Sequence, residues 1–307
     1  MKKILRVVLV LGLALSLVAC GSNEAEETEE VTEATVEDVV DETEEEVEED
    51  EDEEEADAGA LSGEINITGS TSVASIIEEA KNEFEANNPN ITVNYTGTGS
   101  SSGVEDAINA VNDIGVASRA IKDEEVESGV RAEVFAQDGV AVIVHPDNEV
   151  DELTIDQILN IYNGTITNWS EVGGADQDIN VMSREASSGT RSAFEELTGL
   201  EDDEKGMTDD KVEFSSNGTL QIGVAGDESA IGFVSFTYLD ETVKGVKVDG
   251  GEPTTDSVKA GDYPLARPFN FAINDDNYSD LAKAFVDFVL STEGQDIVEA
   301  EGGIRID

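Results

Sequence analysis

The sequence predicts an α/β fold built on a mostly parallel sheet. Short apolar strands alternate with amphipathic helices from residue 64 onward, and several strand-to-helix turns consist of Gly, Ser and Thr. Such alternation is typical of parallel sheets, in which ligands bind at the carboxyl ends of the strands. The folded part has about 245 residues, which is long for one domain and typical of two.

The first residues have the pattern of an export signal. Lys2, Lys3 and Arg6 precede an apolar run over residues 7–18 that is too short to span a bilayer stably. Residues 1–19 are therefore expected to be a signal peptide. The run ends at Cys20 in a Leu-Val-Ala-Cys sequence that resembles the lipobox of bacterial lipoproteins, where the cysteine is lipidated and becomes the mature N-terminus. The alternative is an ordinary cleaved signal with an incidental cysteine.

Cys20 is the only cysteine in the chain. The sequence therefore excludes an intrachain disulfide, and it offers no Cys/His cluster for zinc. No metal and no cofactor are expected.

A strongly acidic segment follows Cys20. Residues 23–60 contain 22 Asp or Glu, no Lys or Arg, and no aromatic residue. Such a segment buries too little apolar surface to offset the entropy lost on ordering, so residues 20–62 are expected to form a disordered, self-repelling tether. A partner-binding acidic tail is the alternative.

The charge of the chain limits its partners. The formal net charge is −54, and the part after the tether keeps 49 acidic against 14 basic residues. Nucleic acid is therefore excluded as an expected partner. An anion could bind only through local donors, because the general field of the protein repels it.

The first predicted units repeat one pattern. A strand over residues 64–67 leads through Gly69-Ser70-Thr71-Ser72 into a helix with apolar positions from Val73 to Phe84. A strand over residues 91–95 leads through a Gly/Ser/Thr loop into a helix ending near Val111. A third strand, residues 114–117, turns at Ser118-Arg119.

A second block begins with the apolar run 140–144, which reads as a buried strand ending at His145-Pro146. Helices are predicted over residues 155–162, after Gly189 and over 281–290. Strands are predicted over 179–182 and 231–236, and an extended segment over 263–273.

The turns between these strands and helices are suited to an anion. A helix N-terminus has unpaired N–H groups and a partial positive charge, Ser and Thr hydroxyls add donors, and Gly allows close approach. A single turn of this kind is more often a plain helix cap.

The segment from Ser183 to Arg191 is more specific. Arg184 can donate to two oxygens of an oxyanion, and Ser188, Gly189 and Thr190 add donors from the next helix start. The alternative for Arg184 is an ion pair with Glu185. Arg191 is expected to be structural, because Glu195 lies one helical turn away.

Several segments together resemble the phosphate-binding proteins of bacterial ABC phosphate importers. They are Thr68-Gly69-Ser70-Thr71-Ser72, Gly97-Thr98-Gly99-Ser100-Ser101-Ser102-Gly103, Ile114-Gly115-Val116-Ala117-Ser118-Arg119, the stretch from Arg184 to Thr190, Leu153-Thr154-Ile155 through Ile166-Thr167-Asn168-Trp169, and Tyr263-Pro264-Leu265. The likeness runs in order from about Glu64 to the C-terminus.

The resemblance implies a two-domain periplasmic-binding-protein fold of type II, with phosphate held in the cleft between the domains. Each domain would have a central, mostly parallel sheet flanked by helices. Domain 1 would comprise residues 63–138 and 266–307, and domain 2 residues 139–265. The implied protein is a monomeric, extracytoplasmic lipoprotein anchored through Cys20, which delivers phosphate to the permease of an ABC transporter without catalysis.

The resemblance also implies a set of ligand contacts. They are Thr71, Ser72, Ser100, Arg184, Ser188, Gly189 and Thr190, and we add Ser118 and Arg119 as expected contacts. Where some family members have an aspartate that accepts the proton of bound phosphate, this chain has Arg119. A carboxylate there rejects fully ionised sulfate, so the preference for phosphate over sulfate or arsenate stays open.

Two further function classes fit parts of the sequence. The segment Gly99-Ser100-Ser101-Ser102-Gly103 fits the G-x-S-x-G pattern of serine hydrolases, with His145 as the sole histidine. His145 directly precedes a proline and is separated from that loop by a helix and a strand, which disfavours a catalytic triad. A phosphate-sensing surface lipoprotein is not excluded.

Overall fold

A computed structural model describes residues 61–307 of the chain. The predicted signal peptide, Cys20 and most of the predicted acidic tether lie outside the described residues. Within the described part, no helix is both long and apolar enough to cross a membrane.

The first part of the described chain has the predicted alternation of strands and helices. Its elements are β1 (Gly63–Gly69), α1 (Ala74–Asn87), β2 (Ile91–Gly97), α2 (Ser100–Ile108), β3 (Ile114–Ala117) and α3 (Asp123–Glu127). Strand β1 pairs in parallel with β2 and with β3. Helix α1 buries Ile76, Ile77, Ala80 and Phe84, as the helical spacing predicts.

Helix α2 is shorter than its apolar pattern predicts. It ends at Ile108, and Ala110 then adopts a left-handed conformation with φ 53°. Val111 therefore leaves the apolar face of the helix, and 70% of its surface is exposed. The prediction of a helix reaching Val111 is wrong, because the left-handed conformation of Ala110 ends the helix although the apolar spacing continues to Val111.

The middle of the sheet consists of two long antiparallel strands. Strand β4 (Arg131–Val144) pairs with β10 (Ala266–Ile273) along residues 131–139 and with a later strand along residues 140–144. Only residues 140–144 of β4 are predicted from the sequence. The preceding residues were missed because charged positions such as Arg131, Glu133 and Asp138 interrupt the apolar pattern.

The second block contains the remaining strands and helices. Its elements are β5 (Glu152–Leu153), α4 (Ile155–Tyr162), β6 (Asn180–Arg184), α5 (Gly189–Thr198), β7 (Lys211–Phe214), α6 (Asn217–Ala225), β8 (Ala230–Ser235), β9 (Lys244–Val248) and α7 (Thr255–Ala260). Two helices follow β10: α8 (Asp280–Leu290) and α9 (Thr292–Ala300). Strand β6 pairs in parallel with β7 and β8.

The strands form one continuous sheet in the order β2-β1-β3-β10-β4-β8-β6-β7, with β5 and β9 off this path. The buried side chains around it separate into two large clusters. One contains residues from β1, β2, α1, β10 and α8, and the other contains residues from 140 to 265 with Ile304. The α/β fold class is thereby confirmed, with β4 and β10 as antiparallel strands at the centre of a mixed sheet.

Packing beneath the sheet holds helix α5 in place. The ring of Phe194 in α5 stacks on Phe233 of β8, with centroids 4.1 Å apart and planes 8° from parallel, and Tyr162 packs edge-on against Phe194. Stacked and edge-to-face aromatic pairs add stabilisation beyond their buried area. This contact fixes the N-terminus of α5, where the most specific sequence motif lies.

Candidate functional site

Four helical N-termini converge near the ends of β1, β2, β6 and β7. A 3-10 turn over Thr71–Val73 follows β1, and Ser70 Oγ caps it by accepting from Ser72 N. Helices α2, α5 and α6 begin at Ser100, Gly189 and Asn217. Each N-terminus presents N–H groups and a partial positive charge, so their convergence favours a bound anion.

Direct contacts join these N-termini. The hydroxyls of Ser72 and Thr190 lie 2.7 Å apart, although the two residues are separated by 118 positions. Asn217 Nδ2 donates to Ser72 Oγ at 3.0 Å. Ser101 N donates to the carbonyl of Ser187 at 3.2 Å. The loops after β1, β2, β6 and β7 therefore meet in one place, as predicted for the carboxyl ends of strands.

Glycines allow this close approach. A Cβ at Gly189 would overlap the Ser100 hydroxyl and lie 2.8 Å from Ser118 Oγ. A Cβ at Gly103 would overlap the backbone of Thr68 and Gly69. The N-terminus of α2 can thus pack directly against β1 on one side and against α5 on the other.

Eight of the nine predicted contact residues form one cluster. They are Thr71, Ser72, Ser100, Ser118, Arg184, Ser188, Gly189 and Thr190. The side chains of this cluster are almost wholly buried except that of Thr71, which is half-buried. Buried polar groups require partners, and within the cluster Arg184 Nη1 is the buried side-chain atom that has none among the described residues.

Arg184 is the charged member of the cluster and is 1% exposed. Its Nε and Nη2 atoms donate to Glu185 at 3.2 and 2.9 Å, and Nη2 also donates to the Ser215 carbonyl at 3.1 Å and to Thr71 Oγ1 at 3.3 Å. Nη1 is buried without a hydrogen-bond partner among the described residues. Arg184 therefore pairs with Glu185 through Nε and Nη2 and keeps Nη1 available as a donor.

Three hydroxyls of the cluster accept a hydrogen bond and still carry a proton to donate. Ser100 Oγ accepts from Ser118 N at 3.0 Å, Ser188 Oγ accepts from Arg191 N at 3.3 Å, and Thr71 Oγ1 accepts from Arg184 Nη2. A hydroxyl that accepts from a fixed N–H still has its own proton to donate. The cluster is thus rich in donors, which suits a ligand made of acceptor oxygens.

The structure does not bring the guanidinium group of Arg119 into this cluster. Its two terminal nitrogens donate to Glu125 at 2.8 and 2.7 Å, and its other partners are the Ala120 carbonyl and Ser101 Oγ. Burial raises the pKa of Glu125, but the hydrogen bonds from Arg119 and Lys122 outweigh it and lower the pKa overall. Arg119 thus has a structural ion pair, and its contact with a ligand stays a prediction.

A cavity of about 730 Å³ opens beside Arg119 rather than at the cluster. Its walls include Ser101, Arg119 and Lys122 on one side and Glu195 and Glu196 of α5 on the other. Charges of both signs line it, so it lacks the donor-rich character of the cluster.

Sequence reasoning missed a buried ion pair next to the cluster. Arg267 Nε and Nη2 donate to Asp138 Oδ2 at 2.9 and 2.7 Å, and Arg267 Nη1 donates to the Ser118 carbonyl at 2.9 Å. Asp138 also accepts from Ser235 Oγ and from Phe236 N. Burial raises the pKa of Asp138, and the charge of Arg267 opposes that rise. The sequence did contain a signal for this ion pair, because Asp138 and Arg267 each lie within a mostly apolar strand.

Asn217 was also missed, because an asparagine near a helix start reads as part of a cap. It is fully buried, and its Nδ2 donates to Ser72 Oγ while its Oδ1 accepts from Ser235 N at 3.2 Å. Its neighbour Ser216 is the actual cap of α6. The Asn217 side chain is therefore not needed as the cap of α6 and donates to Ser72 in the cluster.

The serine-hydrolase pattern does not form a catalytic arrangement in the described chain. His145 Nδ1 accepts from Asp147 N at 3.1 Å, and Ser101 Oγ contacts Arg119. A general base must lie within hydrogen-bond reach of its nucleophile, and no hydrogen bond joins His145 to Ser101 among the described residues. The described residues also contain no cluster of His, Cys, Asp or Glu that could hold a metal ion.

Comparison with known sequences identifies relatives over most of the chain. Residues 52–293 match the family model described as a PBP superfamily domain. The phosphate-binding protein PstS of Borreliella burgdorferi is 30% identical over 250 residues, covering 79% of this chain and 90% of the relative. The phosphate-binding protein PstS of Bacillus subtilis is also 30% identical over 250 residues, covering 79% and 80%.

Solved structures resemble the chain in three dimensions as well. A substrate-binding protein assigned to a phosphate ABC transporter, crystallised with bound phosphate, from Clostridium perfringens is 41% identical with a TM-score of 0.77, covering 80% of this chain and all of that one. An ABC-type phosphate transport receptor from Vibrio cholerae is 34% identical with a TM-score of 0.69, covering 79% and 100%. The chain belongs to the PBP superfamily, within the family of the PstS phosphate-binding proteins, and the resemblance noted in its motifs is confirmed.

Proposed function

We propose that the chain binds inorganic phosphate in the buried cluster and delivers it to an ABC transporter for import. The observation that carries this proposal is the Nη1 atom of Arg184, a buried donor without a protein partner among the described residues, in a cluster whose hydroxyls still have protons to donate. An unpaired buried donor costs free energy, and an anionic acceptor removes that cost. The phosphate named for the relatives supports the same ligand.

Binding is proposed to proceed by closure of two domains without a chemical step. Residues 63–138 and 266–307 would form one domain and residues 139–265 the other, with Thr71, Ser72, Ser100 and Ser118 contributed by the first. Arg184, Ser188, Gly189 and Thr190 would come from the second. Ligand-driven closure requires contacts that exist only in the closed form, and a ligand held by donors of both domains would supply them.

Contacts without a ligand would help to hold the closed form. Thr237 Oγ1 donates to the Ser72 carbonyl at 2.9 Å, and Tyr238 OH donates to the Thr71 carbonyl at 3.1 Å. Under the proposed partition these bonds join the two domains. The stronger these two bonds are, the less phosphate binding energy is needed to shift the protein to the closed form.

The proposed location is outside the cytoplasm, with the chain anchored to the membrane through a lipid on Cys20. The apolar leader and the sequence around Cys20 support this part of the proposal. Permease subunits of the transporter would be the protein partner, and the chain would act as a monomer without cofactor or metal.

Titration calorimetry of the ligand-free protein with phosphate, sulfate and arsenate tests the proposed ligand. The expected result is a one-to-one phosphate complex that is tighter than the sulfate complex. Sulfate bound as tightly as phosphate would instead support the alternative of a general oxyanion-binding protein, which the replacement of the family's aspartate by Arg119 leaves open. Absence of heat with all three anions would contradict both.

A further inference from the structure

The hydroxyl of Ser72 lies at the centre of the cluster and has three partners. Asn217 Nδ2 is 3.0 Å away, Arg267 Nη2 is 3.3 Å away, and Thr190 Oγ1 is 2.7 Å away. A serine hydroxyl has two acceptor sites and one proton. The direction of that proton therefore depends on which partners can only donate.

The orientation of the Asn217 amide is fixed by the backbone. Its Oδ1 atom accepts from Ser235 N at 3.2 Å. A backbone N–H can only donate, so the oxygen of the amide must face Ser235 and the NH₂ group must face Ser72. Asn217 is fully buried, which leaves no solvent to offer another arrangement.

Arg267 is fixed in a similar way. Two of its nitrogens donate to Asp138 Oδ2 and a third donates to the Ser118 carbonyl. A guanidinium group has no acceptor, so its contact with Ser72 is also a donation. Asn217 and Arg267 together occupy both acceptor sites of Ser72 Oγ.

The proton of Ser72 must then point toward Thr190, on the side where α5 presents its first N–H groups. We propose that Asn217 is a positioning residue: it fixes Ser72 as a hydrogen-bond donor to Thr190, so that the Thr190 hydroxyl keeps its own proton to donate to the bound anion. This inference rests on the proposed function, since it concerns the same ligand. It gives a role to a side chain that need not touch the ligand.

A double-mutant cycle separates this role from a purely structural one. Phosphate affinity is measured by calorimetry for the wild type, Ser72→Ala, Asn217→Ala and the double variant. Because hydrogen bonds to charged groups are worth about tenfold or more in affinity, each single variant should bind phosphate at least about tenfold more weakly. In the Ser72→Ala background, Asn217→Ala should change the affinity by less than about twofold, since the hydroxyl it orients is gone.

If replacing Asn217 weakens phosphate binding equally in the wild-type and Ser72→Ala backgrounds, the inference is overturned. The proposed function would still stand, because the wild type binds phosphate. Failure of the wild type to bind phosphate would instead reject the proposed function. Asn180→Ala is the matched control, because that amide donates to Asp227 outside the cluster, and it should leave affinity unchanged in both backgrounds.

If Asn217→Ala fails to fold, Asn217→Asp provides the same test. The aspartate keeps an oxygen for Ser235 N, but it presents an acceptor to Ser72 and turns the proton of that hydroxyl away from Thr190. Thr190 then donates to Ser72 and loses the proton that it would give to the anion. Its added charge repels the anion in either background. The substitution should therefore weaken binding about tenfold more in the wild-type background, where the Ser72 hydroxyl is present, than in the Ser72→Ala background, and equal losses would overturn the inference.

Discussion

Replacement of Arg184 tests the charged part of the site. Arg184→Ala removes the buried Nη1 donor together with the hydrogen bonds to Glu185 and Ser215. Nη1 carries two N–H groups, and each charge-assisted bond to an anion contributes about 1.5–3 kcal/mol. The loss of both predicts phosphate affinity weaker on the order of 10²- to 10⁴-fold.

Arg184→Lys refines this prediction. Lysine keeps the positive charge but has a single nitrogen, so it cannot serve Glu185 and the anion with the same geometry as the guanidinium group. Its affinity should fall between those of the wild type and Arg184→Ala. Arg191→Lys is the matched control, because Arg191 lies in the same motif and pairs with Glu195 and Glu213.

The assay is titration calorimetry with phosphate, accompanied by thermal unfolding of each ligand-free variant. Partly exposed ion pairs contribute about 0–1 kcal/mol, so Arg191→Lys should keep phosphate affinity within about fivefold. A folded Arg184→Ala protein that binds phosphate as tightly as the wild type would refute the placement of the anion at Arg184.

Three other substitutions test the account of the site and its surroundings. Gly189→Ala should weaken phosphate binding strongly in calorimetry, because its Cβ would overlap the hydroxyl of the first residue of α2, and unchanged affinity would contradict close approach. Asp138→Asn should destabilise the protein by about 3–5 kcal/mol in denaturant titration, since it leaves Arg267 buried without its counter-charge, and a loss under about 1 kcal/mol would contradict that pairing. Glu125→Gln should lower the Tm at pH 7 by removing the partner of Arg119. Because the folded pKa of Glu125 is depressed, its stabilisation is present above the unfolded pKa and is lost as pH falls through the folded pKa. An equal Tm difference at neutral pH and at a pH below the folded pKa would contradict this.

The local features of the fold could be predicted because they depend on neighbours in sequence. The apolar spacing from Val73 to Phe84 predicts the buried face of α1, and Ser and Thr at helix starts predict the turns that form the cluster. The carboxyl ends of parallel strands share one edge of a sheet, so the convergence of Ser72 and Thr190 follows from the alternation of strands and helices.

The antiparallel centre of the sheet could not be predicted in this way. Asp138 is wholly buried in a strand, and its partner Arg267 lies 129 positions later in the chain. A buried carboxylate is tolerated only where such a partner is present. No local pattern reveals that pairing. The charged residues of β4 also interrupt its apolar alternation, so its first nine residues are not predicted as a strand.

The role of Arg119 shows a similar limit. Its position directly after a strand and beside Ser118 suggests an anion contact, but Glu125, six residues later, occupies both of its terminal nitrogens. Arg119 Nε is buried without a partner among the described residues, as Arg184 Nη1 is, so the two arginines differ only in their terminal nitrogens. In a chain with many carboxylates, the sequence cannot tell which arginine keeps a terminal nitrogen available. Arg184 pairs with Glu185 and still has Nη1 available.

A crystal structure of the protein with phosphate tests the central claim most directly. The account predicts one phosphate ion in the cluster, with its oxygens within about 3 Å of Arg184 Nη1 and of the Ser100, Ser188 and Thr190 hydroxyls. Phosphate bound elsewhere, with Arg184 Nη1 still lacking a partner, would contradict the account.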